Sequence, residues 1–394
     1  MKIKLGVIFG GKSVEHEVSI VSALLAIENI DREKYEVIPI YVNKENQMFT
    51  SNKFLNIENF KDFDNITKNA TKVDIELVNN NIFLKQKRWL FPKLIDVDIF
   101  YPIVHGAGVE DGTIQGYLDF KKVPYVGSSV LASAVGQDKV IFKDICIANN
   151  VPVLDYKVFY DFDLSNTKNI IEEVSQIGFP VIIKPSTLGS SVGISVAKTK
   201  DELIEKMSEA FKYDYKVLIE KKINTLREVN ISLLGDEKEV ELSAIEEIIT
   251  KNEIYTYDDK YMGKSNIKNS KYSGNRKIPA KLSSELQEEI ESISKKIFKI
   301  SSFSGIVRFD FLIDKDNNKV YFNEPNTIPG SLSYHLWNGK GYRFNEVLDK
   351  SIQIAIDNYK RKEGKIRSFE TNILGIYGNK GMKGKLKWKK WYLL

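Results

Sequence analysis

The sequence predicts an α/β protein that opens with a parallel sheet, and three observations carry that expectation. Strand-like apolar runs at residues 2–9, in KYEVIPIYV (34–42) and in DVDIFYPIVHG (96–106) are interrupted by VSIVSALLAIENI, whose apolar residues recur at helical spacing. The runs end in Gly-rich or polar loops, where open α/β sheets hold their ligands. The chain has 394 residues, 42% of them hydrophobic, enough for two or three buried cores.

Taken in order, residues 45–95 are polar, with a predicted hairpin in KVDIELVNNNIFLKQ (72–86). A second unit begins near Gln137. It holds a helix in DKVIFKDICIANN, a strand in FPVIIKP, the Gly/Ser loop STLGSSVG running into a further strand, and another strand in KVLIEKKI. A third begins near Arg227 with strands EVNISLLG and EVELSAIEEI, then a polar loop at about 250–277. Apolar residues at 282, 286, 290, 293 and 297 mark an amphipathic helix. A hairpin, RFDFLIDKDNNKVYFNEPNTIPG, and a helix at about 345–360 follow. The expected division is 1–136, 137–226 and 227–365, with a basic, aromatic tail at 366–394.

Bulk properties exclude several classes. Net charge is +5, from 58 basic and 53 acidic residues mixed along the chain, which gives no footprint for nucleic acid. A single cysteine, Cys146, excludes a disulfide framework and fits a reducing compartment. No apolar run approaches the roughly 18–20 residues of a membrane span. The N-terminal apolar run is short and meets Gly-Gly and charges, so it reads as a strand and not a signal. A soluble, cytoplasmic protein is expected, with no membrane partner.

The hairpin carries the strongest chemical signal. A turn at Lys315–Asn318 sets Asp310 opposite Glu324, and the two-residue period puts Glu324 and Asn326 on one face. Facing carboxylates repel unless a cation lies between them, and an all-oxygen set suits Mg²⁺. The same residues also read as a solvated strand end. Lys184 closes the strand FPVIIK, where a buried ammonium needs an anion, and the main chain of PSTLGSSVG can wrap phosphate oxygens. Lys139 opens the middle unit, and Glu220 ends VLIE where the chain crosses between units. Each lysine alone reads equally as a surface ion pair; together and in this order they point to phosphate and metal. GVIFGGKS fits the spacing of a P-loop, yet Gly6, Val7, Ile8 and Phe9 belong to a strand and leave no loop for phosphate. Glu15 and Glu17 sit between a strand end and a helix start, positions that suit either a substrate ammonium or helix capping. His16, His105 and His335 are scattered, so no histidine metal cluster is expected; His105 either orients a substrate or bonds within its loop.

The blocks GGKSVEHEVS, HGAGVEDGTIQG, VPYVGSS, DK, KPSTLGSSVGIS, YTYDDKY, RFDF and NEPNTIPG together resemble the D-alanine–D-alanine ligase family of the ATP-grasp superfamily, in matching order over about residues 2–360. The resemblance implies a three-domain ATP-grasp architecture, a homodimer, and D-alanine and ATP as substrates, with two Mg²⁺ ions that Mn²⁺ can replace. It implies phosphate binding by Lys139 and Lys184, adenine beside Glu220, ribose at Glu228, and metal at Asp310, Glu324 and Asn326. It further implies that Glu15 anchors the first amino acid, that Ser190 and Tyr261 are linked to Glu15, and that Lys260 shares a lid with Tyr261. By the same resemblance Arg308 and the Gly330 N–H are expected to stabilise the oxyanion, and His105, His335 and Leu336 to contact substrate. Departures are Gln137 in place of methionine, Pro325 in place of valine or alanine, and SLSYHLW after Pro-Gly, which puts His335 where the family has a serine for the second substrate's carboxylate. The implied activity is ATP-dependent joining of two D-alanines through an acyl phosphate, for peptidoglycan precursors. Its rivals are a D-alanine–D-serine ligase and a nucleotide-binding protein without turnover.

Overall fold

A computed structural model describes residues 2–63, 65–79, 81–86, 93–249, 276–366 and 368–370. Lys260 and Tyr261, with most of the expected lid and the tail beyond residue 370, lie outside the described residues. The chain divides into two compact units, Met1–Ile356 and Asp357–Leu394. All three sheets lie in the first, and the second begins in the last turns of a helix.

The first sheet contains β1 (Ile3–Gly10), β2 (Tyr35–Val42), β3 (Met48–Thr50), β4 (Thr71–Val78), β5 (Asn81–Gln86), β6 (Leu94–Asp96) and β7 (Ile99–Pro102), in the order β6-β5-β4-β3-β2-β1-β7. Only β1 pairs in parallel, with β2 and β7; the rest is an antiparallel meander. The cause is the connections. Helix α1 (His16–Asn29) supplies the crossover that the parallel pair β1–β2 requires, whereas β2 and β3 are joined by a short turn and β3 and β4 by a longer segment with two 3₁₀ helices, Asn52–Leu55 and Ile57–Lys61. Leu5, Val7, Ile8 and Phe9 are fully buried, and a Cβ on Gly6 would lie 2.9 Å from the Phe100 ring. Gly6 is therefore a packing residue inside a strand.

Helices α2 (Thr113–Phe120), α3 (Val130–Gln137) and α4 (Lys139–Ala148) lead to an antiparallel second sheet. Its strands β8 (Tyr156–Tyr160), β9 (Val181–Pro185), β10 (Ser195–Ala197) and β11 (Lys216–Lys221) run in the order β10-β9-β11-β8. Helices α5 (Thr167–Ile177) and α6 (Lys200–Ala210) bury Ile170, Val174, Leu203 and Met207 against it. The third sheet is also antiparallel: β12 (Leu226–Gly235), β13 (Val240–Ile248), β14 (Arg276–Lys277), β15 (Gly305–Asp314) and β16 (Lys319–Asn326), in the order β14-β13-β12-β15-β16. The amphipathic stripe forms α7 (Ser284–Ile300), whose Leu286, Ile290, Ile293 and Ile297 share a core with Val229, Ile231, Val307, Phe309, Phe311 and Ile313. Helices α8 (Tyr334–Gly339) and α9 (Phe344–Glu363) follow.

That core sits on one face of the third sheet, so the alternate residues Glu228, Asn230, Ser232, Arg308 and Asp310 lie on the other. The pairing of β15 with β16 contains an irregularity absent from the sequence reading. Near the turn Phe311 faces Phe322, but beyond it Asp310 faces Glu324 and Arg308 faces Asn326. Asn323 is an extra residue, a β-bulge. Val320 and Phe322 point into the core before it and Pro325 is buried after it, so Asn323, Glu324 and Asn326 all leave the core face. Without the bulge Glu324 would share the face of Phe322.

The end of β1 is held equally tightly. Gly10 has φ +94°, its N–H donates to Ser19 Oγ at 2.7 Å, and an added Cβ would lie 2.3 Å from the Val42 carbonyl oxygen. Gly10→Ala is expected to cost about 1–3 kcal/mol, read as a lower urea midpoint at unchanged m-value.

Candidate active site

Pairing in the third sheet lines up Glu246, Asn230, Asp310 and Glu324 in one row across β13, β12, β15 and β16. In the next row Ser232, Arg308 and Asn326 face one another. Arg308 grips Asp310 with two bonds, Nε to Oδ1 at 2.7 Å and Nη2 to Oδ2 at 2.8 Å, and Asn326 Nδ2 donates to Asp310 Oδ2 at 3.2 Å. Lys139 Nζ lies 3.2 Å from Glu324 Oε2 and donates to the Leu188 carbonyl at 2.6 Å, reaching from α4 to the Gly/Ser loop and the metal-type residues at once. Two facing carboxylates with an amide oxygen form the all-oxygen set that suits Mg²⁺. Asn230 Oδ1, buried beside Asp310, has no donor among the described residues, which leaves an acceptor to spare in the row. The residues fit a magnesium site once the Asn326 amide turns its oxygen inward.

Beside this row Glu220 is fully buried between two ammonium groups, Lys184 and Lys143, the latter at 3.1 Å. Burial pushes Glu220 towards the neutral form, but Lys143 and Lys184 hold its pKa down to about 2. Burial likewise works against the charge of Lys184, which Glu220, Glu324 and Glu228 restore, leaving its pKa above the ordinary value. Lys184 Nζ also donates to Oδ1 of the bulge residue Asn323 at 3.2 Å. Glu228 stands one row away from the metal-type residues, opposite Leu312. The carboxylate of Glu220 is thus committed to lysines.

Glu15, at the N-terminus of α1, is buried where two loops meet. Ser190 Oγ donates to Glu15 Oε1, and Cβ atoms added to Gly106 or Gly189 would each lie 2.9 Å from Glu15 Oε2. Ser13 Oγ donates to the His105 carbonyl at 2.6 Å. His105 Nε2 lies 3.0 Å from Ser22 Oγ, and Ser22 Oγ also accepts the Ser331 N–H at 2.9 Å. Burial lowers the pKa of His105 to about 4, so the ring is neutral at neutral pH. Glu110 joins the same loops, accepting the Gly106 N–H at 3.0 Å and the Ile328 N–H at 2.9 Å. Burial, then the charge of Glu15, raises its pKa to about 7. The turn after Gly330 is left-handed at three non-glycine residues, Ser331, Leu332 and Ser333. Leu336 is fully buried.

The structure thus brings Glu15 to Ser190, Lys139 to Glu324, Lys184 to Glu220, and Arg308 to Asp310 and Asn326. Sequence reading missed Lys143, Glu110, Asn323, Arg276 and Glu246. His335 Nε2 lies 3.1 Å from the buried carboxylate of Glu246 and 2.8 Å from Arg276 Nη1. Alternation in ELSAIEEI hides Glu246: Leu242 and Ile245 both face the core although they are three residues apart, because the pairing of β12 with β13 shifts register between them, and only after that shift does Glu246 fall on the opposite face.

Comparison with known proteins bears on the whole chain. Residues 4–128 match the family model for the D-ala D-ala ligase N-terminus, and residues 145–353 that for the C-terminus. A D-alanine–D-alanine ligase of Thermosipho melanesiensis is 38% identical over 375 residues, covering 95% of this chain and 99% of that protein. One from Caldicellulosiruptor bescii is 38% identical over 378 residues, covering 92% and 97%. Among solved structures, the VanG D-Ala:D-Ser ligase of Enterococcus faecalis superposes with a TM-score of 0.74 at 30% identity, covering 90% of this chain and all of that one. The D-alanine–D-alanine ligase of Coxiella burnetii superposes with a TM-score of 0.75 at 27% identity, covering 92% and 97%.

Glu110 makes a pH-dependent contribution with a definite sign. Its folded pKa, about 7, lies above the ordinary 4.5, so the folded state keeps a proton that the unfolded chain releases. That stability is complete below about pH 4.5 and is lost as pH rises to about 7. Glu110→Gln should flatten the pH dependence of the urea midpoint across that window, a difference of a few kcal/mol at most.

Proposed function

The chain belongs to the D-alanine–D-alanine ligase family, and from that premise we propose that it joins two D-alanines at the expense of ATP to supply peptidoglycan precursors. The carboxylate of the first D-alanine attacks the γ-phosphorus of ATP and ADP leaves. The amine of the second then attacks the acyl carbon, loses a proton, and phosphate departs. The single observation that carries the reading is the row Asp310–Glu324 with Asn326, held against Arg308 and Lys139 on one sheet face.

Within it, Glu15, aligned by Ser190, receives the ammonium of the first D-alanine. Lys139 and Lys184 take the phosphates, Glu228 the ribose hydroxyls, and the chain next to Glu220 the adenine. Arg308 and the Gly330 N–H face the oxyanion that develops at the acyl carbon. Asp310, Glu324 and Asn326 would hold two Mg²⁺ ions, or Mn²⁺ in their place; such ions supply charge neutralisation on the transferred phosphoryl group. Each sheet is taken as the centre of one domain, and Lys260 and Tyr261 as part of a lid that keeps water from the acyl phosphate. No helix among the described residues is long and apolar enough to cross a membrane. We place the protein in the cytoplasm, as a homodimer. A D-alanine–D-serine ligase is the second reading, favoured by His335 and its contact with Glu246 at the second-substrate position.

Product identification with ATP, Mg²⁺ and a panel of D- and L-amino acids is the direct test. D-alanyl-D-alanine is the expected product, and absence of phosphate release with every D-amino acid would refute the assignment. Glu324→Gln is expected to lower kcat at least a hundredfold at ordinary Mg²⁺, on the order of 3 kcal/mol of transition-state stabilisation. Full turnover of that variant would remove Glu324 from the metal site.

A further inference from the structure

A further group of charges lies on the same sheet face, at the end away from Glu324. Glu246 on β13 is completely buried, and its Oε1 accepts from Asn230 Nδ2 at 3.1 Å. Its Oε2 lies 3.1 Å from His335 Nε2 and 3.3 Å from Arg276 Nη1, while Arg276 Nη1 lies 2.8 Å from His335 Nε2. One ring nitrogen cannot donate to Glu246 and accept from Arg276 at once. In either tautomer the carboxylate governs the ring, directly or through the guanidinium that it anchors. His335, Arg276 and Arg308 together overcome the cost of burial and keep Glu246 ionised.

The helix that carries His335 has little freedom of its own. Trp337 Nε1 donates to Ser232 Oγ at 3.1 Å, and Lys340 Nζ donates to the Leu242 carbonyl at 2.6 Å. A Cβ on Gly339 would lie 2.5 Å from Ile278 and 3.3 Å from Ala244, so α8 is packed closely on β13. What remains adjustable is the ring itself, through its two side-chain torsions, and Glu246, directly and through Arg276, is among the groups that hold it, with the Tyr334 ring edge-on at 5.9 Å.

We propose that Glu246 is a positioning residue for the second, acceptor D-amino acid, acting through His335. The inference rests on the reading of His335 as part of the acceptor subsite. A serine hydroxyl at that position is short and needs no support. An imidazole on a longer, rotatable stem presents a donor to a carboxylate only when its orientation is held, and a buried carboxylate does this as it does for histidines in other sites. The chain therefore carries a coupled pair, His335 and Glu246, in place of one hydroxyl.

Steady-state kinetics on the full chain with ATP and Mg²⁺, resolving separate KM values for donor and acceptor D-alanine, test this. Glu246→Gln is expected to raise the acceptor KM by about three- to tenfold, with donor KM, ATP KM and kcat within about twofold of wild type. In a His335→Ser background the same substitution should add nothing. Glu246→Asp, which keeps the charge but withdraws it by one methylene, should behave in the same way and serves if the glutamine variant does not fold. Equal rises in all three KM values, or a Glu246 effect undiminished in the His335→Ser background, would overturn the inference. A wild-type protein that releases no phosphate with any D-amino acid would instead overturn the functional reading on which it rests.

Discussion

A carboxylate withdrawn from water must bring its counter-charge with it, and the cleft face of the third sheet is organised around that requirement. Asp310 is held by Arg308 from its own strand, Glu324 by Lys139 from α4, and Glu246 by Arg276 and His335. Glu220, on the neighbouring sheet, is held by Lys143 and Lys184. Each acid is paired with a cation from a defined element, so the acids tolerate one another at close range. The arrangement also exchanges partners without creating an isolated buried charge. Under the proposed function, a polyphosphate that drew Lys139 and Lys184 to itself would leave carboxylates suited to a divalent ion. Breaking such a pair without replacement leaves an uncompensated charge at about 3–5 kcal/mol, so phosphate and metal would enter as linked events.

Backbone geometry supplies the rest of the precision. The bulge at Asn323 turns Glu324 away from the phenylalanine core and hands Lys184 an extra acceptor. The segment just beyond holds Ser331, Leu332 and Ser333 at positive φ, each at roughly 1–3 kcal/mol for a side-chain-bearing residue. It persists because loops of the first sheet support it. Glu110 accepts the Ile328 N–H, Ser22 accepts the Ser331 N–H, and Leu332 is buried. The N-terminal part of the chain thus fixes the shape of the loop that carries Gly330.

The elements most legible in the sequence were those with strong periodicity. The stripe at 286, 290, 293 and 297 became the buried face of α7, and the DKDNN turn paired Phe311 with Phe322, beyond which the bulge at Asn323 brings Glu324 opposite Asp310. The parallel pairing of β1 with β2 is legible in the helix between them, and the antiparallel hairpin β4–β5 in its apolar alternation; β3 and β6, three residues each in a polar stretch, leave no such pattern. The bulge was hidden because Asn323 and Glu324 are both polar, so a slip of one residue leaves no break in the apolar pattern. Lys143 and Glu246 were missed for a related reason. A charge on an amphipathic helix or a half-buried strand reads as solvated, and only the partner, distant in sequence, reveals that it is buried. Glu110 lay within a Gly-rich loop whose folding depends on a segment more than 200 residues away.

Side-chain identity and ligand contact also part company at several of these positions. Leu336 faces the core, and the carboxylate of Glu220 is taken by lysines. At both places the residue type answers to packing or charge balance. The reverse holds at His335, whose ring lies among charged groups on the sheet's open face. A substitution at a main-chain contact can leave the site intact, as Pro325 does between Glu324 and Asn326 by filling a buried position whose missing donor neither neighbouring side chain requires. A side-chain contact depends also on what holds the side chain, and beside the His335 ring the buried acid Glu246 on β13 stands 3.1 Å away.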